Sequence, residues 1–118
     1  MILNKTRKTV VCRKAVVSRS VLSHIKGLMF TFIPPDTGFL MVFPKSAKTG
    51  IWTFGMMYAI DVAWLDSKGR IVDVKENFLP WRLPRYPREK AKMILEVRAG
   101  IFKKSKTQVG DVLEINDR

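Results

Sequence analysis

Cysteine is all but missing: Cys12 is the single one in 118 residues, so no intrachain disulfide can form and no cysteine-rich metal site exists. A reducing compartment fits that usage. Histidine is equally scarce. A zinc site around His24, the only one, would have to draw on carboxylates and one thiol, an unusual donor set, so no metal is expected. The sequence has no glycine-rich phosphate loop, no Walker lysine and no Gly-x-Ser-x-Gly turn. Nucleotide hydrolysis and the common serine hydrolase chemistry therefore find no support, and no cofactor is expected.

Long apolar runs are absent too. The most apolar segment, Ile51 to Leu65, contains Asp61 and falls short of the roughly 20 residues that cross a bilayer as a helix. The opening MILNKTRKTVVCRK carries basic residues but no apolar stretch of the length an export signal needs. A cytoplasmic protein with no membrane partner is the expectation. Acidic residues are thin in the first half, where Asp36 is the only acid against nine basic residues before Ile60. With 22 Lys and Arg against 10 Asp and Glu, the formal charge is +12, a field that attracts nucleic acid or other polyanions. A single Gln and few Asn are compatible with a thermophilic source.

What is present is a globular mixture, 47% hydrophobic and 27% charged, long enough for one domain over residues 1–118. Ile2 to Val17 reads as two short strands or one bent strand. Val21, Leu22, Ile25, Leu28 and Met29 fall at helical spacing, with Gly27 placed to end the helix. Pro34-Pro35-Asp36-Thr37-Gly38 enforces a loop, Phe39 to Phe43 is a buried strand, and Lys45 to Gly50 is a polar turn. In the strand Ile60 to Leu65, Ile60, Val62 and Trp64 share one face while Asp61, Ala63 and Leu65 share the other. Asp66-Ser67-Lys68-Gly69 returns the chain into a strand over Arg70 to Glu76, a hairpin. Residues 78–88, with three prolines, form an ordered loop. Arg88 to Met93 is assigned one or two helical turns, Ile94 to Val97 a strand, Ile101 to Thr107 a polar linker of helical character, and Val112 to Ile115 a last strand. The sum is an α+β, β-rich domain: a small, mostly antiparallel sheet or barrel-like fold with one or two short helices.

Four segments carry a resemblance. They are Lys26-Gly27-Leu28-Met29, then Gly38 to Phe43, then Trp52 to Met56 running into Ile60 to Asp66, and finally Ile94 to Gly100 with Gly110-Asp111. In this order and spacing they resemble the family called domain of unknown function 192. The resemblance implies a small β-rich domain of bacteria and archaea and supplies no activity. It also implies a Trp-Met-Lys-Asn-like stretch and an arginine where this chain has Thr53-Phe54-Gly55-Met56 and His24, so roles tied to those positions do not carry over.

Among chemistry-bearing residues, Asp61 stands out, because a carboxylate between Ile60 and Val62 in an apolar strand must be hydrogen-bonded, paired or raised in pKa if buried. It reads either as a structural acceptor of backbone amides or as a ligand-binding group at a pocket mouth. Glu96, between Leu95 and Val97, could share a site with it, and two carboxylates allow acid–base hydrolysis of the glycosidase kind. The segment Trp81-Arg82-Leu83-Pro84-Arg85-Tyr86-Pro87-Arg88 interleaves rings with guanidinium groups that could stack bases and pair with phosphates. The blander expectation folds Trp81 and Tyr86 onto the core and leaves the arginines solvated. Cys12 reads as a small buried strand residue.

The leading expectation is a noncatalytic binding domain whose cleft near Trp52, Asp61, Arg82 and Glu96 takes a small polar or anionic ligand. One alternative is nonspecific nucleic-acid binding through Trp81, Arg82, Arg85, Tyr86 and Arg88. The other is a hydrolase-like enzyme using Asp61 and Glu96. The protein is expected to be a monomer or homodimer.

Overall fold

Period-two alternation at Ile60–Leu65 organises the molecule. A computed structural model describes residues 1–19, 33–53 and 56–116. Ile60–Leu65 (β5) is buried along its whole length. It lies inside a five-stranded sheet, between Ile71–Phe78 (β6) and Ala91–Arg98 (β7), with Thr37–Ala47 (β4) and then Lys14–Ser18 (β3) completing the order β3-β4-β7-β5-β6. A second sheet of three strands is ordered Thr9–Cys12 (β2), Ile2–Asn4 (β1), Leu113–Ile115 (β8). The larger sheet ends in β3 and β6, so it does not close into a barrel. Every pairing is antiparallel except β3 with β4.

Because both faces of the five-stranded sheet are covered, its inner strands feed two apolar clusters. Ala63, Leu65, Leu95, Val97 and Leu40 point to one, where they meet Ile2, Val11 and Leu113 of the small sheet and Phe102 of the helix Ile101–Ser105 (α1). Ile60, Val62, Trp64, Ile94, Phe39 and Met41 point to the other, where Ile33, Ile51 and Met56 cover them. The alternation read for β5 is therefore the division between the two clusters. Burying one Leu- or Ile-sized side chain stabilises by about 1.5–3 kcal/mol, and β5 places five apolar side chains in the interior.

The hairpin forms where the turn chemistry put it. Asp66 accepts the amides of Lys68 and Arg70 through its side chain, and Gly69 takes φ +84, with its amide on the Asp66 carbonyl. A Cβ on Gly69 would meet the Leu113 carbonyl oxygen at 2.5 Å, so the turn excludes side chains sterically as well as conformationally.

Other expectations need correcting. The opening segment makes three strands, not two. Ala91–Met93 belongs to β7 and is not helical: Met93 pairs with both Val42 and Leu65, and two ladders outweigh local helix preference. The polar turn at Lys45 begins later, because β4 runs on to Ala47, opposite Ala91. Ile101–Ser105 is a helix whose Phe102 is fully buried, so it is part of the core and not a linker. The helix expected over Val21 to Met29, and His24 with it, lies outside the described residues.

Candidate functional site

Asp61 is an architectural acceptor. Its Oδ1 accepts the Asn77 amide at 2.8 Å, and its Oδ2 accepts those of Gly100 at 3.0 Å and Phe102 at 3.1 Å. Paired with Val97 in the ladder, it lies on the face that carries α1. One carboxylate thus ties β5 to the end of β6 and supplies the cap that Gly100, the residue before α1, cannot make for itself. Only 1% of it is exposed.

Glu96 pairs with Val62 and Phe39, so its side chain leaves the sheet on the opposite face. The two carboxylates are separated by the backbone of the sheet itself. They cannot flank one bond, and this corrects both the shared hydrolytic site and the cleft that included Asp61 and Glu96. Glu96 is buried, its Oε2 has no hydrogen-bond partner among the described residues, and burial pushes its carboxyl up to about 8. At neutral pH the protonated form therefore predominates.

The loop from Leu79 to Arg88 behaves otherwise. Its near end is pinned by Thr53, itself fully buried: Oγ1 donates to the Leu79 carbonyl at 2.6 Å and accepts the Arg82 amide at 2.8 Å, and the Thr53 carbonyl accepts the Trp81 amide at 2.8 Å. Its far end is pinned by buried Asp73, which accepts Arg85 Nη1 at 3.1 Å and the Arg88 amide at 2.9 Å. Burial acts to raise the Asp73 carboxyl, but Arg85 and the amides of Arg88 and Val74 outweigh it and hold the group below the usual carboxylate range. Between the pins, Ile51 and Arg85 exchange backbone hydrogen bonds.

What this frame presents is apolar and cationic. Trp81 is 65% exposed, Tyr86 60% and Leu83 78%. Trp81 is also held at φ +59, a left-handed backbone unfavourable for a bulky side chain. Lys75, Phe78, Leu79, Trp81, Arg82 and Leu83 border a groove of about 560 Å³. Gly50 admits the Tyr86 ring against the backbone, where a Cβ would lie 2.6 Å from its Cε1. The expectation that Trp81 and Tyr86 fold onto the core is thus corrected. So is the solvated Arg85: its guanidinium pairs with Asp73 and sits 5.5 Å over the buried Trp64 ring, leaving Arg82 and Arg88 as the outward cations. Trp52, the sequence neighbour of Ile51 and Thr53, is half-buried.

The family model DUF192, described as Uncharacterized ACR, matches residues 2–115. This chain belongs to the DUF192 family. A UPF0127 protein of Thermococcus sibiricus is 30% identical over 97% of this chain and 73% of its own length, and one of Thermococcus kodakarensis is 32% identical over 96% and 71%. Among solved structures, a Sinorhizobium meliloti protein provisionally named a transcription regulator superposes with TM-score 0.77 at 26% identity, over 85% of this chain and 79% of that one. A Novosphingobium aromaticivorans protein of unknown function gives the same score at 19% identity, covering 86% and 74%, which speaks to the fold alone.

Membership in DUF192 assigns no chemistry, so the residues must be read for themselves. No three His, Cys, Asp or Glu side chains converge as a metal site among the described residues. No helix among them is long and apolar enough to cross a membrane. Cys12 is buried and its thiol is pushed up to about 12, chiefly by burial, which disfavours the thiolate at neutral pH. Thr53 and Asp73, absent from the residues expected at a site, build the platform. Asp73, an acid amid Ile71, Val72 and Val74, carried the same signal that singled out Asp61.

Proposed function

We propose that this DUF192 chain is a noncatalytic binding module, with residues 1–118 acting as one cytoplasmic unit, that takes a small anionic ligand on the platform of residues 79–88. One observation carries the reading: exposed Arg82 stands beside exposed Trp81 on a loop already fixed by Thr53, with Lys75 on the groove wall. A preorganised loop loses little entropy on binding. A guanidinium beside an indole suits a ligand with negative charge and a flat apolar part. Of the four residues first grouped as a cleft, Arg82 stays in the proposed binding face, and Asp61 and Glu96 leave it.

The test is tryptophan fluorescence during titration with adenosine monophosphate, adenosine and inorganic phosphate. The nucleotide should bind more tightly than either half, and Arg82→Gln should weaken it about tenfold. Silence with all three ligands, or binding indifferent to Arg82→Gln, would overturn the reading.

A further inference from the structure

We infer that the small anionic group this platform takes is a nucleotide unit of single-stranded nucleic acid, bound without regard to sequence; this rests on the anion-binding reading above and names its ligand class. Three observations lead there. First, the loop exposes two aromatic rings, Trp81 and Tyr86, five positions apart, and both ends of the loop are fixed by hydrogen bonds to buried groups. Rings held in this way are platforms on which unpaired bases stack, and every base has a face to offer. Second, the cations alternate with the rings: Arg82 lies beside Trp81 and Arg88 beyond Tyr86. The Arg88 side chain is 82% exposed and only 4.0 Å from its nearest acid, a screened pairing that a phosphate can replace. Lys75 adds a third cation at the groove wall. Third, the charge of +12 supplies the long-range attraction that a polyanion, more than a small anion, exploits.

The platform offers its recognition groups to unpaired bases. A closed duplex presents phosphates but keeps its base faces stacked inside, so it could engage Arg82, Arg88 and Lys75 while leaving Trp81 and Tyr86 idle. Arg85 also lines the groove, but its guanidinium is engaged by Asp73 and Trp64. Its role is to hold Arg88 and Tyr86 in place, helped by its own hydrogen bond to the Tyr86 carbonyl.

The experiment measures anisotropy of a labelled oligothymidylate, the same strand paired with oligoadenylate, adenosine monophosphate as competitor, and flotation with phosphatidylglycerol vesicles. Oligothymidylate should bind at least tenfold more tightly than the mononucleotide and more tightly than the duplex. Its affinity should fall with salt at a log–log slope of about −2, the value for three phosphate contacts on a single strand. Trp81→Ala and Tyr86→Ala should each weaken it about tenfold. Gly50→Ala, which displaces the Tyr86 ring without removing it, should weaken it less. Equal binding of strand and duplex, or strand binding unmoved by both ring variants, overturns the inference, because charge alone would then suffice. Vesicle binding with no strand binding also overturns it while adenosine monophosphate still binds. If the nucleotide fails as well, the anion-binding reading falls with it.

Discussion

The centre of the five-stranded sheet and the loop at residues 79–88 treat polar and apolar groups in opposite ways. In the sheet, carboxylates are buried: Asp61 gathers three backbone amides, while Glu96, one ladder position away on the other face, has an oxygen with no partner among the described residues. In the loop, large apolar side chains are exposed and the backbone that carries them is pinned at both ends. The difference teaches where to look for function. A buried acid is the more conspicuous feature of the sequence, yet here it serves architecture, and it is the exposed ring on which the proposed binding face rests.

The largest effect should come from Asp61→Ala, which leaves three backbone amides, that of Phe102 buried, without their acceptor. A loss of about 3–5 kcal/mol in urea unfolding is expected, with adenosine monophosphate affinity per folded molecule unchanged. A stable Asp61→Ala protein that had lost binding would erase the contrast.

Glu96 should behave in the reverse sense. Its carboxyl is raised to about 8 in the folded protein from its ordinary value of 4.5, so across that interval the folded state holds a proton that the unfolded chain releases. Stability should therefore fall as pH climbs from about 4.5 to about 8 and level off above. Asp73 and Asp111 lie below their usual range, so they add stability that is present above about pH 4 and lost as pH falls through their folded values. Maximum stability on the acid side of neutrality follows. Glu96→Gln should flatten the neutral limb, matching the parent near pH 4 and exceeding it by on the order of 4 kcal/mol at pH 8. Parallel pH profiles for parent and variant would sink this account.

The smallest stability change belongs to the platform. Trp81→Gly removes an exposed ring and relieves a left-handed backbone, so thermal unfolding should move by less than about 1 kcal/mol while ligand binding is lost. A large destabilisation would make the indole a structural element and weaken its claim to function.

Much of the fold was legible. The faces of Ile60–Leu65, the Asp66–Gly69 hairpin and the break at Ala99-Gly100 follow from alternation and turn chemistry, which are local. The extension of β7 back to Ala91 was not, since it depends on β4 and β5, both remote in sequence. At the site, Arg82 and Trp81 could be nominated from residue type alone. That Asp61 and Glu96 diverge could not, because each strand's alternation is fixed by its own sequence, whereas the register between β5 and β7 sets which positions share a face.

By itself the sequence determined the β-rich character, the excess of positive charge and the stiff, proline-punctuated loop, all properties of composition and near neighbours. Tertiary structure alone decided that Arg85 turns inward to Asp73 while Trp81 and Tyr86 stay in water. The reason is that a side chain's partner is chosen by whatever buried group lies within hydrogen-bonding reach, and Thr53 and Asp73 reach this loop only after distant parts of the chain have packed together.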